Sequence, residues 1–264
     1  VTASKLDKFP APNCLEEMNN NTGDTMDTKA ISAFLTDLKA YQNPVKAAGA
    51  LGFFQCGKGG YGEGDKFWGL TVPQQRNVCK AHYKLLSISD LAELIKHEVH
   101  EVRLSTLMIM VMQYKKAKND ATRKALIDTY LASVMYINNW DLVDTSAHYI
   151  LGEWLLNKDW SILKDMAHSE HLWTQRIAMI STHAFIRKGI FEPTFCLADI
   201  LLHHKHDLIH KAVGWMLREA GNVDYMAEYN YLVPRYKQMP RTMLRYAIEK
   251  FDEPMRQQFL KSVL

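Results

Sequence analysis

Several short stretches of the chain carry residue types that do chemistry. Trp140-Asp141-Leu142-Val143-Asp144, Trp173-Thr174-Gln175-Arg176 and Gly214-Trp215-Met216-Leu217-Arg218-Glu219 place carboxylates, indole rings and guanidinium groups at helical spacing. His203-His204-Lys205-His206, with His210, is dense in imidazole, and Gly57-Lys58-Gly59-Gly60-Tyr61-Gly62-Glu63-Gly64-Asp65 contains G-x-G-x-x-G. Carboxylates stabilise developing positive charge and indole faces attract cations. Guanidinium groups grip phosphates, imidazoles bind metals, and a glycine-rich turn after a strand cradles a dinucleotide phosphate.

Context removes two of these chemistries. The glycine-rich stretch follows a helical pattern from Pro44 to Phe54, and no βαβ pattern comes after it, so a flexible surface loop is expected instead of a nucleotide site. No cysteine or ligand from a second segment completes the histidine cluster, and its place before the helix of Trp215 suggests an inter-helix turn. His97-Glu98-Val99-His100-Glu101 misses the zinc motif H-E-x-x-H, because its histidines are three apart and not four. No metal is expected.

Each tryptophan run also has an ordinary structural explanation. Asp141 and Asp144 at a helix start suit an N-cap and a first-turn carboxylate. Trp140 and Trp215 suit a helical core, and Arg176 suits a solvated or ion-paired surface. What singles the three runs out is their joint occurrence on successive helices.

Those helices follow from composition and pattern. The chain has 264 residues, 47% of them hydrophobic, enough for a large domain or a continuous solenoid. Proline and glycine become sparse beyond Pro73, whereas Leu, Ala, Met, Lys and Glu dominate, so an all-α protein is expected. Residues 1–27, with Pro10, Pro12, Asn19 to Asn21 and Gly23, read as an irregular arm, and 28–264 as a single HEAT-like repeat domain. Basic-then-apolar runs starting at Arg103, Arg176, Lys211 and Arg241, with a further unit around Asp144, recur at roughly 30–40-residue intervals, as in degenerate two-helix repeats. Such pairs stack into a solenoid whose inner helices line a concave face. A concave row of helix N-termini and basic side chains tracks a phosphate backbone, yet the same shape serves protein-binding scaffolds, and a net charge of +3 decides nothing between them.

The three runs, in this order, together with Phe67-Trp68-Gly69-Leu70-Thr71-Val72-Pro73, resemble the AlkD family of DNA alkylation-repair glycosylases over Thr28 to the chain end. Asn139 stands where some members carry another aromatic residue. The resemblance implies a HEAT-like superhelix with duplex DNA in its concave groove, and excision of cationic bases such as N7-methylguanine and N3-methyladenine. It implies Asp144 as the catalytic carboxylate, Trp140 and Trp215 packed on the sugar-phosphate of the damaged nucleotide, and Arg176 on the phosphates. Arg218 is a secondary DNA-binding candidate. It also implies a base that stays stacked instead of being flipped into a pocket.

The implied chemistry is physically sound. An alkylated purine that is already cationic leaves without a general acid, and its departure creates an oxocarbenium-like sugar that a carboxylate stabilises. Indole faces add a cation–π attraction of about 0.5–2 kcal/mol each. No cofactor is expected. The expected partner is double-stranded DNA containing alkylated bases, bound by a monomer whose concave face stays open. Cys14, Cys56, Cys79 and Cys196 form no C-x-x-C pair, and neither a bilayer-spanning stretch nor a secretion signal is seen, so a cytoplasmic protein is expected.

Overall fold

The computed structural model describes residues 24–264. Apart from an isolated bridge between Lys66 and Val99, every regular element among them is helical, in agreement with the expected all-α repeat class. The arm expected over residues 1–27 lies outside the described residues up to residue 23, and helix α1 (Asp24–Lys39) is already formed at Asp24. The chain divides into two compact units, the first through Ser146 and the second Ala147–Leu264.

The first unit continues with α2 (Pro44–Phe53), α3 (Val72–His82), α4 (Ile88–Leu94), α5 (His100–Lys116), α6 (Asp120–Ala132) and α7 (Trp140–Ser146). Local chemistry sets the helix starts. Asn43 caps α2 and is followed by Pro44, where a missing N–H costs least, and Thr71 with Gln74 closes a capping box on α3. Successive helices α1, α3, α5 and α7 stack in one row, while α4 packs on α5 and α6. At the centre lies α5, buried at every residue from His100 to Val111. By contrast α2 buries none of its residues, and Val45, Leu51 and Phe53 are exposed.

Between α2 and α3 the chain is irregular but tightly held. Glu101 on α5 accepts hydrogen bonds from the backbone N–H groups of Trp68, Gly69 and Leu70, and the Trp68 carbonyl accepts from Asn43 N at 2.8 Å. Gly69 sits at φ +82°, and a Cβ there would lie 2.2 Å from the Asn43 carbonyl oxygen, so both the turn and the close approach of α2 require glycine.

In the second unit a π-helical turn (His148–Gly152) precedes α8 (Glu153–Leu155), α9 (Ser161–Ala167), α10 (Leu172–Ser181), α11 (His183–Ile186) and α12 (Glu192–Ile200). It continues with α13 (Asp207–Val223), α14 (Tyr225–Leu232), α15 (Arg241–Ala247) and α16 (Glu253–Lys261). The basic-then-apolar runs at Arg176, Lys211 and Arg241 fall on α10, α13 and α15, and these three helices stack in sequence. The buried side of α13 is an apolar stripe at helical spacing: Ile209, Ala212, Val213, Met216, Leu217 and Ala220. Gly214 lets α15 come close, since a Cβ would lie 2.5 Å from the Met243 carbonyl oxygen. No helix among the described residues is long and apolar enough to cross a membrane.

Candidate functional site

In the first unit α7 carries Trp140 and Asp144 one helical turn apart, both half-buried. Asn139 is fully buried, and its Oδ1 accepts from Trp140 N while its carbonyl accepts from Val143 N, which starts the helix. The Trp140 indole is fixed from two sides. Its Nε1–H donates to Tyr61 Oη at 3.2 Å, and its ring meets those of Phe53 and Phe54 at centroid distances of 5.9 and 5.6 Å. The glycine-rich stretch is therefore only partly the surface loop expected of it. Gly57 to Gly59, Glu63 and Gly64 are exposed, but Tyr61 holds Trp140, and Asp65 is buried.

Asp65 belongs to a buried charged cluster that sequence reasoning missed. His100 Nδ1 lies 3.0 Å from Asp65 Oδ2, and His100 Nε2 lies 2.8 Å from Asp141 Oδ2. Arg103 Nη2 donates to Asp65 Oδ1 at 2.6 Å, and Arg103 Nη1 donates to the carbonyls of His97 and Glu98. Burial by itself opposes charge on His100, but the hydrogen bonds to Asp141 and Asp65 outweigh it and push the imidazole up to about 9. Burial would likewise raise the Asp65 carboxyl; the hydrogen bond from His100 and the Arg103 charge hold it below its usual range. Asp141 is thus a partner of His100, not simply a helix cap. The one sequence signal was the His97-to-Glu101 stretch, which fails as a zinc motif and carries in His100 the centre of this cluster.

In the second unit the remaining candidates lie on α10 and α13. Arg176 is buried on α10 and donates through Nη1 to the Leu208 carbonyl at the start of α13, at 2.5 Å. Trp215, half-buried on α13, donates from Nε1 to Glu219 Oε1 at 2.9 Å, and its ring lies 6.3 Å from that of His183. Arg218 pairs with the same Glu219 oxygen at 3.3 Å and with Glu249. Burial would raise the Glu219 carboxyl, but hydrogen bonds from Asn222, Trp215 and Arg218 hold it low. One carboxylate, Glu219, therefore orients two candidates at once.

The histidine stretch forms the turn before α13, as expected. His204 Nδ1 accepts from His206 N, and His206 Nδ1 accepts from Leu208 N, so two imidazoles serve as backbone caps. Burial lowers both, and their mutual repulsion adds to this for His204.

The architecture defines a helical-repeat protein, and the solved structures agree. The chain is similar to a predicted DNA alkylation repair enzyme from Enterococcus faecalis, with a TM-score of 0.62 at 16% identity, covering 80% of this chain and 97% of that one. At sequence level, the DNA alkylation repair enzyme family matches residues 34–251, and the chain belongs to that family. No curated protein matches it significantly in sequence.

Proposed function

We propose that the chain is a monofunctional DNA glycosylase that hydrolyses the N-glycosidic bond of cationic alkylpurines in duplex DNA, N7-methylguanine and N3-methyladenine among them, and leaves an abasic site. The observation that carries this reading is the α7 turn: a half-exposed carboxylate, Asp144, one turn beyond an indole that the protein holds rigidly, in a chain of a DNA alkylation repair family.

The bond between the sugar C1′ and the purine nitrogen breaks, and its electron pair neutralises the cationic base, so no general acid is needed. Asp144 stabilises the positive charge left on the sugar, and water forms the new bond to C1′ while its proton passes to the carboxylate or to solvent. The faces of Trp140 and Trp215 pack against sugar and backbone and favour the transition state, in which positive charge moves from the base onto the sugar beside them, over the ground state. Arg176, and secondarily Arg218, hold phosphates. Because the leaving group is already cationic, the reaction asks for no metal or organic cofactor.

The test is release of free base from a duplex containing N7-methylguanine, with the Asp144→Asn variant compared at equal DNA occupancy. Release that falls at least about 100-fold in the variant supports the assignment. Tight, salt-sensitive binding without release would make the protein a non-catalytic DNA binder, and no salt-sensitive binding at all would make it a protein scaffold.

A further inference from the structure

His100 takes no direct part in the chemistry proposed above, yet it is among the most constrained side chains of the first unit. It is 1% exposed, and both ring nitrogens face carboxylates. A neutral imidazole has one N–H, so one of the two carboxylates would face a lone pair; only the imidazolium satisfies both. The charges then balance locally, His100 and Arg103 against Asp65 and Asp141. The rings of Phe54 and Phe67 lie 4.9 and 4.8 Å from the imidazole and help to exclude water.

Three partners of this ring, Asp141, Phe54 and Asp65, lead to α7. Asp141 follows Trp140 directly and precedes Asp144 by three residues, Phe54 also meets the Trp140 ring, and Asp65 ends the segment whose Tyr61 holds the Trp140 indole. We propose that His100 is a positioning residue for base excision: clamped between Asp65 and Asp141, it fastens the first turn of α7 to the end of the glycine-rich segment and so fixes Trp140 and Asp144. This rests on the glycosylase reading of those two residues.

The other ionisable groups around it are already engaged. Glu101 holds the backbone of Trp68 to Leu70, and Lys66 pairs with Glu98 at the surface. His97 is held low by burial, and Cys56 is held high by burial and by Asp65. Loss of the His100 proton, with a midpoint of about 9, therefore opens the clamp on the alkaline side.

The experiment compares wild type with His100→Gln and Asp141→Asn in single-turnover release of N7-methylguanine, in duplex affinity, and in Trp140 fluorescence from pH 6 to 9.5. The fluorescence of Trp140 is taken as the difference from a Trp140→Phe background. The expected result is a rate reduced on the order of 100-fold in each variant, the cost of a small misplacement of reacting groups, with affinity changed less than about threefold. Wild-type Trp140 fluorescence should shift with a midpoint near pH 9, and His100→Gln should abolish the shift. Rate and affinity falling by the same factor, or a wild-type rate in a folded His100→Gln protein, would overturn the proposal. If His100→Gln does not fold, the same criteria apply to Asp141→Asn, which removes the carboxylate charge that faces the imidazolium. Should the wild type release no base, the glycosylase reading fails by itself, and a Trp140 signal without a transition near pH 9 is what refutes the clamp.

Discussion

Asp65 and Glu228 are both carboxyl groups taken out of water, and the two units treat them in opposite ways. Asp65 receives two cations, His100 and Arg103, and stays ionised. Glu228 on α14 is 1% exposed, its Oε2 lies against Gly221, where an added Cβ would come within 1.7 Å, and its Oε1 has no hydrogen-bond partner among the described residues. Burial, with Glu219 adding to it and Arg218 only partly offsetting it, pushes the Glu228 carboxyl up to about 9, so it keeps its proton at neutral pH. The contrast teaches that a buried carboxyl is made tolerable either by fixed countercharges, which then tie distant segments together, or by a proton, which ties nothing.

The largest effect that probes this difference is removal of a countercharge. Arg103→Leu leaves Asp65 and Asp141 sharing His100 alone and should destabilise the protein by about 3–5 kcal/mol in urea unfolding at pH 7. A loss below about 1 kcal/mol would mean that charge compensation is not what holds the Asp65 cluster. Glu228→Gln should act in the other direction, because the amide needs no proton. The folded-state pKa of Glu228 lies above its unfolded value, so the wild type loses stability as pH rises from about 4.5 towards 9, whereas the variant should not. At pH 8 the difference should be on the order of 5 kcal/mol, read as a flatter pH dependence of thermal unfolding. A pH profile identical to wild type would place the proton elsewhere.

His100 belongs to the same linkage. Its folded-state pKa is also raised, so its contribution to stability is fully present below pH 6.5 and is lost as pH rises through about 9. A double variant with Gln at 100 and 228 should therefore show the flattest stability profile between pH 6.5 and 9.5. The smallest effect is expected at an exposed ion pair of the second unit. Glu249 is half exposed where it meets Arg218, so Glu249→Gln should change stability by less than about 1 kcal/mol. It should also strengthen duplex binding by a few-fold, with a steeper salt dependence, because Arg218 then has one competitor fewer for phosphate. An unchanged salt slope would remove Arg218 from the DNA-binding surface.

Much of the fold was legible because it is written locally. The helical pattern from Pro44 to Phe54 is a helix that Asn43 caps, and the basic-then-apolar runs at Arg176, Lys211 and Arg241 fall on helices that stack in sequence. The histidine turn before α13 was readable for the same reason. Tertiary pairing was not. Asp65 meets a histidine 35 residues later, and that histidine meets Asp141 another 41 residues on, separations that no periodicity encodes. The Arg218–Glu249 pair spans 31 residues, so a guanidinium that reads as available in the sequence is engaged in the fold. Glu228 gave no signal either, since a glutamate among Tyr225, Glu228 and Tyr229 resembles any exposed helical residue.

The three N–H groups of Trp68, Gly69 and Leu70 that converge on Glu101 form the kind of nest in which proteins capture dissolved anions. Here the anion is covalently part of the chain, delivered from the helix beside it at an effective concentration that no dilution changes. The segment leading into α3 is in that sense a permanently liganded loop, and its order is independent of any solute.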